Sequence, residues 1–338
     1  MSETSSGVSG RPDLKRFATW DTAIIVLTVL VLVVASVVVD NFGTSRNFTF
    51  MVLDLMPILL IALPMTFIIV TGEIDLSVAS TLGLTSSLMG WFWNHNLSIE
   101  MIIPLCILIG AVAGVLNGFL ITGLGLPSLA VTIGTLALYR GLALVVLGDS
   151  AVADFPFNYT GWVTGTLGDG SIPNVLIPII ALAVVFGIVL HATPIGRSLY
   201  AIGANAQAAH FSGIRVARTK FWLYVVSGAV CGLVGVLWTL RYSSARADNG
   251  AGLELAVVAA VLLGGVSIFG GKGSLPGVIA GVVLLTALQN ALRLEDVSGQ
   301  ALNIVTGALL VLSVLLPNIV TTVRGNWQRR RLRQSAAR

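Results

Sequence analysis

The sequence predicts an all-α polytopic membrane protein with about ten transmembrane helices and a short cytosolic helix between the sixth and seventh. Three observations lead to this fold class. Hydrophobic residues make up 56% of the 338 positions and charged residues only 10%, and the mean hydropathy is +0.94. Apolar runs of membrane-spanning length recur along the chain. Basic residues collect in alternate connecting segments.

The N-terminal residues 1–21 are polar and are expected to form a cytosolic tail. Arg11, Lys15 and Arg16 come just before the first apolar run, at 22–39. This run resembles a signal anchor, because a cleaved signal peptide has a shorter apolar region and a small-residue cleavage site. The transmembrane domain is expected over residues 22–317.

Nine further apolar runs are each predicted to be a membrane-spanning helix, and a basic cytosolic tail is expected after the last. Small residues recur at four-residue intervals in several of these runs, which predicts close contacts between helices. The runs lie at about 50–71, 76–93, 100–122, 126–147, 174–191, 221–241, 254–270, 274–292 and 300–317, and the C-terminal tail covers 318–338.

The segment at 71–80 reads either as a cytosolic hairpin or as a helix break within the membrane. A continuous helix over 50–93 would be about 65 Å long, roughly twice the hydrocarbon thickness. The chain must therefore turn here. Gly72 permits the turn, and Asp75 or Ser77 is expected to cap the following helix.

The distribution of charge predicts the orientation. With the N-terminus inside, 14 of the 19 basic residues fall in cytosolic segments, four fall in outer segments, and Arg140 is left inside a span. This excess of cytosolic lysine and arginine supports both the number of spans and the orientation. Both termini are therefore expected in the cytosol.

Residues 192–220 form the longest basic interruption between apolar runs that still predicts ordered structure. Pro194 suits the first turn of a short helix that Gly203 ends. Asn205 is expected to cap a second short helix over 206–211. Two small helices are thus predicted on the cytosolic side, between two membrane spans.

The second short helix is predicted to be accessible to another protein. Ser212 and Gly213 are expected to stop it. Ala206, Ala208 and Ala209 have small side chains, which would let a partner approach the backbone closely.

Glu73 and Asp75 are the most conspicuous acidic residues because they stand between two spans. Ionisable groups at membrane depth commonly serve function, and this favours a place on a translocation path. Capping of the next helix explains them equally well. Both interpretations stay open.

Uncharged polar residues within otherwise apolar runs are the other candidates for a translocation path. Asn117, Gln289, Asn290 and Asn303 could bind the hydroxyl groups of a polar solute. Hydrogen bonding between helices is the alternative, and for each residue taken alone it is the preferred one.

Nothing in the sequence predicts an enzyme. The stretch 270–274 resembles a phosphate-binding loop, but Val266 stands where that motif needs glycine, and Gly273 stands where it needs serine or threonine. The histidines and cysteines lack metal-ligand spacings. No catalytic residue, metal or cofactor is expected, and the composition does not imply nucleic-acid binding.

Three stretches together carry a resemblance to a known family. They are residues 72–78, residues 203–209 with 212–214, and residues 264–274. With them the chain resembles, from about 55 to 316, the permease subunits of the ribose-type branch of ATP-binding-cassette importers, which carry monosaccharides and the sugar-like signal autoinducer-2. The family usually has glycine where this chain has Glu73.

The resemblance implies the partners and the mechanism. Two permeases, identical or related, would work in the bacterial inner membrane with two cytosolic ATPase domains on another polypeptide and an external sugar-binding protein. The solute would be of the rhamnose, autoinducer-2 or ribose type. The alternative is an independent secondary transporter of a small polar solute, although the spans carry few of the buried acids that such carriers use. The implied ATPase-coupling residues are Asn205, Ala206, Ala208, Ala209, Ser212 and Gly213.

Overall fold

The computed structural model describes residues 20–168, 170, 172–313 and 315, and within them the chain is almost entirely helical. Residues 1–19 of the expected N-terminal tail (1–21) and the whole expected C-terminal tail (318–338) lie outside the described residues, as does the end of the last predicted span, whereas Trp20 and Asp21 belong to the first helix. The helices are α1 Trp20–Val38, α2 Ser45–Val70, α3 Val78–Asn94, α4 Ile99–Thr122, α5 Ser128–Leu147, α6 Phe157–Thr164, α7 Leu176–Ala192, α8 Pro194–Ala204, α9 Ala206–Phe211, α10 Val216–Tyr242, α11 Leu253–Leu263, α12 Leu275–Leu294 and α13 Gly299–Ser313.

A short antiparallel hairpin interrupts the helical chain between α6 and α7. Its strands are β1 Thr166–Leu167 and β2 Ile172–Pro173, with Thr166 opposite Pro173 and Leu167 opposite Ile172. The hairpin lies at the end of the molecule that also holds α6, here called the α6 end. The opposite end, with α8 and α9, is called the α9 end.

Each predicted apolar run coincides with a helix, but not every helix has the length of a full span. Among the described residues, six helices are long and apolar enough to cross a membrane: α1, α2, α4, α5, α10 and α12. The pair α7 and α8, bent by 67°, would make a seventh if it is one span. α3 has 17 residues and α11 has 11, so α11 rises only about 17 Å against a hydrocarbon core of about 30 Å.

The short α11 is preceded by an irregular stretch, residues 243–252, part of which is buried within the protein. Ala245 and Ala247 are 0% and 3% exposed. The guanidinium of Arg140 donates hydrogen bonds to the carbonyl oxygens of Ala247 and Asn249, the latter at 2.9 Å. Irregular backbone is tolerated at membrane depth where other protein groups satisfy it. Arg140, the one basic residue that the sequence leaves inside a span, therefore holds part of this stretch in place.

The core is organised around α2, which packs against α7, α10, α11 and α12. From Leu55 to Val70 every residue of α2 is buried. α1 lies at the periphery against α11 and α12, and Trp20 donates a hydrogen bond from Nε1 to the Leu263 carbonyl at 3.1 Å. Any force applied to α2 therefore reaches most of the bundle.

The glycines at four-residue intervals form the close helix contacts that the sequence predicts. A Cβ atom on Gly110 would lie less than 3.0 Å from the Gly228 carbonyl oxygen, and a Cβ on Gly228 would be equally close to the Gly110 oxygen. Gly281 of α12 packs in the same way against Ala260 of α11. The backbones of α4 and α10 therefore touch, and no larger residue fits between them.

Candidate functional site

The α8–α9 arm, residues 194–213, is built as the sequence predicts. Pro194 is in the first turn of α8, and Asn205 ends α8 and begins α9. The Asn205 side-chain oxygen accepts a hydrogen bond from the Ala208 backbone N–H at 2.9 Å. Gly213 follows α9 with φ +86°, a left-handed conformation that glycine adopts readily. Local capping therefore specifies this pair of short helices.

α9 turns most of its surface away from the protein. Ala206 and Ala208 are exposed, whereas Ala209 is 4% exposed and attaches the helix to the bundle. The Ser212 hydroxyl donates to the Ala208 carbonyl at 2.9 Å and closes the last turn. Phe211, which the sequence analysis did not select, is 86% exposed. An aromatic side chain is the kind of residue that protein interfaces bury as an anchor.

A groove of about 570 Å³ runs along the base of α9. Ala206 and His210 form one wall, the turn containing Pro127 forms the other, and Glu73 and Lys220 lie at its floor. The groove is large enough to accept side chains from a protein that docks on α9. The arm and the groove thus form one continuous surface at the α9 end.

The arm joins the bundle at a glycine junction, formed by Gly203, Val70 and Gly271. A Cβ atom on Gly203 would lie less than 3.0 Å from backbone atoms of both Val70 and Gly271. The Gly271 N–H donates to the Val70 carbonyl at 2.8 Å. Tyr200 reinforces the contact by donating from its hydroxyl to the Gly273 carbonyl at 2.8 Å. The arm is therefore seated directly on the end of α2 and on the 264–274 turn.

The junction brings together the three stretches that carry the family resemblance. Gly270 approaches both Gly72 and Gly203, with hypothetical Cβ distances of 2.9 Å to the Gly72 nitrogen and 3.1 Å to the Gly203 oxygen. Gly72, Gly270 and Gly271 have φ of +81°, +81° and +71°. These conformations let the three backbones approach one another without side chains between them.

Glu73 forms a partly buried ion pair with Lys220 at the α9 end. The side chains are 19% and 15% exposed, so the pair is shielded from water more than a typical surface salt bridge. It links the turn after α2 to the first turns of α10. Glu73 therefore links the turn after α2 to α10 at the floor of the groove.

Asp75 lies deeper and belongs to a buried polar network. One carboxylate oxygen accepts from the Ser77 N–H at 3.0 Å and from its hydroxyl at 2.6 Å. The Asn117 amide donates to the Ser77 hydroxyl at 2.8 Å, and Ser227 of α10 donates to the other Asp75 oxygen at 3.4 Å. Asp75 thus organises the start of α3 indirectly, through Ser77, and connects α3 with α4 and α10.

Gln289 and Asn290 lie apart from these residues, on α12. The Gln289 amide donates to the Thr306 hydroxyl of α13 at 2.8 Å. Asn290 and Asn47 exchange two amide hydrogen bonds, of 2.8 and 3.1 Å, and both residues are buried. The five residues expected to line a path therefore make separate groups of contacts, at the α9 end, at the start of α3 and on α12, and all of them bond to other side chains. Asn303 is exposed on α13.

A charge cluster at the α6 end is not evident from the sequence, because its members are far apart in the chain. Asp54 of α2 pairs with Arg241 of α10 and, at 2.7 Å, with Arg293 of α12. The Arg241 side chain is 10% exposed. Asp54 compensates the largely buried charge of Arg241, so removing Asp54 would leave that charge without a partner and destabilise the packing of α2 against α10 at that end.

Comparison with known proteins gives a consistent result. The model of a permease family, described as "Branched-chain amino acid transport system / permease component", matches residues 47–314. The protein named "Autoinducer 2 import system permease protein LsrD" in Yersinia enterocolitica is 34% identical over 309 residues, 88% of this chain and 91% of the relative. No solved structure matches the chain.

Two further relatives carry the same name. The LsrD protein of a Yersinia pseudotuberculosis strain is 34% identical over 326 residues, covering 92% of this chain and 97% of the relative. That of a Yersinia pestis strain is 33% identical with the same coverage. The similarity therefore extends over nearly the whole length of both chains.

Proposed function

Because the chain belongs to the family of branched-chain amino acid transport system permease components, it is a membrane permease, and we propose that it imports autoinducer-2 or a similar sugar-like solute. The observation that carries this proposal is the end-to-end similarity to permeases named for autoinducer-2 import. Solutes of the rhamnose and ribose type are the other members of the proposed class.

The energy for import is proposed to come from ATP hydrolysis on another polypeptide. The exposed surface of α9 supports this, since Ala206 and Ala208 offer close approach and Phe211 offers an apolar anchor. Asn205, Ser212 and Gly213 would hold this surface in shape. The other proposed partners are an external sugar-binding protein and a second permease subunit, identical or related.

The glycine junction suggests how a push on α9 would reach the membrane region. α8 contacts the end of α2 and the 264–274 turn through Gly203, so the arm and these backbones would move together. α2 packs against four other helices. Closure of the ATPase pair would then switch the bundle between two packings by rigid-body movement, which is a common form of such transitions.

The proposed topology puts the α9 end and both termini in the cytosol of a bacterial cell, and all ten apolar runs in the membrane. The short α3 and α11 would span together with the buried stretches beside them. Glu73, Asp75, Asn117, Gln289 and Asn290 remain proposed path residues, and a change of packing would have to break their present hydrogen bonds before they could contact solute.

A docking variant tests the role of α9. Ala208→Glu puts a charge on the exposed face, and Ala208→Ser is the matched control that keeps the residue small. In the organism that encodes the chain, we expect Ala208→Glu and Gly213→Trp to abolish uptake and co-purification of the ATPase. Membrane insertion should persist. ATP-dependent uptake retained in both variants would refute the coupling role.

The solute is tested separately in a strain lacking this gene. Depletion of autoinducer-2, rhamnose and ribose from the medium is measured with and without the restored gene. Selective loss of autoinducer-2 depletion is expected. Solute uptake by the purified chain in vesicles without any ATPase would instead indicate a secondary transporter.

A further inference from the structure

A second groove, of about 590 Å³, lies on the side of the bundle where α7 and α8 meet α10. Phe67 and Phe186 are the most buried of its lining residues, with 4% and 7% exposure, and their rings meet edge to face at 5.1 Å. Val185 and Trp222 lie on its walls, each 53% exposed. The groove lies apart from the glycine junction and from the surface of α9.

The polar lining of this groove is concentrated at its α9 end. Arg215 and Arg218 are exposed there, and Thr219 is beside them, while the remaining lining side chains are aliphatic or aromatic. Neither arginine forms an ion pair with any residue that the structure describes. Lys220, only two positions on, is paired with Glu73. The two guanidinium groups are therefore available to an external anion.

The dimensions of the groove match one leaflet of a bilayer. Along α10, the distance from Arg215 to Val226 corresponds to a rise of about 16 Å, while half of the hydrocarbon core is about 15 Å thick. Trp222 lies between these two positions, and tryptophan is favoured near the headgroup boundary. An acyl chain would fit the apolar part while its phosphate lies at the arginines.

We propose that this groove binds an anionic glycerophospholipid, with the phosphate held by Arg215 and Arg218 and one acyl chain along Val185, Phe186 and Trp222. Arginine binds phosphate through two parallel hydrogen bonds, and basic pockets between transmembrane helices bind anionic headgroups. A second copy of the chain is the less suitable occupant. Symmetric packing about an axis at this groove would bring the same arginines toward each other.

The first test uses the full chain purified in detergent in its native assembly and freed of lipid. Dioleoylphosphatidylglycerol and dioleoylphosphatidylcholine are titrated separately, and bound lipid is counted by native mass spectrometry. We expect phosphatidylglycerol to bind at least about tenfold more tightly. Equal binding of the two lipids by the unmodified chain would overturn the proposal, and this comparison needs no variant.

Variants then locate the binding site. Each neutralised arginine is expected to weaken phosphatidylglycerol binding about fivefold, so Arg215→Gln with Arg218→Gln together should weaken it about 25-fold. Arg197→Gln is the control, because Arg197 is exposed on α8 but does not line the groove. Undiminished binding by the double variant would overturn the assignment.

Filling the groove gives an independent measurement. Val184 and Val185 are neighbours on α7 and are both 53% exposed, but only Val185 lines the groove. Val185→Trp is expected to reduce phosphatidylglycerol binding, and Val184→Trp is expected to leave it unchanged. In native membranes, efficient disulfide formation between two copies through Val185→Cys would show that a second permease covers the groove and would refute the lipid site.

Discussion

Gly203 has no room for a Cβ atom, because the carbonyl oxygen of Val70 lies less than 3.0 Å from where that atom would be. The two residues are far apart in sequence, yet this contact joins the α8–α9 arm to the most buried helix of the bundle. Because the two backbones are in direct contact, α8 can shift very little relative to α2 without moving it. The contact therefore suits the transmission of a displacement from a surface element to the core.

Gly203→Ala should disturb the contact between the α8–α9 arm and α2, and so reduce uptake or the stability of the protein. The added methyl group meets backbone atoms that cannot rotate away, and overpacking of this kind costs about 1–3 kcal/mol. We expect lost uptake and a lower apparent unfolding temperature in detergent. Gly187→Ala is the control, because no atom lies within 4 Å of a Cβ there. Similar behaviour of the two variants would show that the contact with Val70 is unimportant.

Phe211→Ala should weaken the association with the ATPase while preserving the fold. Phe211 is 86% exposed at the α9 end, and truncating an interface anchor costs about 2 kcal/mol or more, roughly 30-fold in affinity. Phe157→Ala is the matched control, since Phe157 is 84% exposed at the α6 end. Co-purification with the ATPase measures the effect. An equal loss in both variants would contradict a docking role confined to α9.

Exchanging the charges of Glu73 and Lys220 should restore the uptake that reversing either charge alone reduces. Glu73→Lys puts two cations at the floor of the groove, and Lys220→Glu puts two carboxylates there. The double variant re-forms a pair of opposite charges in the same partly buried place. We expect uptake to be reduced in each single variant and largely recovered in the double variant. If Glu73 must instead contact solute, the double variant will stay inactive although its stability recovers.

Variants of the hydrogen-bonded amides Asn47 and Asn290 distinguish a role in helix packing from a role in the translocation path. Asn290→Leu leaves the buried side-chain oxygen of Asn47 without its donor, which costs about 1–3 kcal/mol. Changing both residues to leucine removes both amides but leaves the Phe42 carbonyl without its Asn47 donor, so the thermal stability of the double variant should exceed that of Asn47→Leu alone, which in addition leaves Asn290 without its partner. Unimpaired uptake by the double variant would show that the two amides serve helix packing. Restored stability with no uptake would favour the path.

Gly228→Val should separate α4 from α10. A side chain at this position meets the Gly110 carbonyl and the Gly114 nitrogen across the contact. We expect little folded protein after detergent extraction, judged by size-exclusion chromatography. Gly141→Val on α5 is the control, as no atom lies within 4 Å of a Cβ there. Normal yield of Gly228→Val would show that the helix contact tolerates a change of spacing.

Features that depend only on residues close together in the sequence could be predicted from the sequence. Hydropathy located the ten apolar helices, though not the short α6, α8 and α9, because an apolar segment of sufficient length is stable in lipid only when its own backbone groups are hydrogen-bonded. The capping of α9 by Asn205 and the turn at Gly72 are equally local. The glycine spacings in α4 and α10 also predicted a close contact, although not which helix each would meet.

Features that join distant parts of the chain required the folded structure. Ten runs of similar apolar character form helices of unequal length. Hydropathy could not show this, because it does not reveal that the chain before α11 is irregular and partly buried. Glu73 meets Lys220, and Asn290 meets Asn47, only because α2, α10 and α12 pack at particular depths and angles. Close backbone contacts, such as that of Gly203 with Val70, fix how near one element lies to another. Composition and spacing therefore determine which segments are helical, whereas the packing of whole helices decides which polar groups meet.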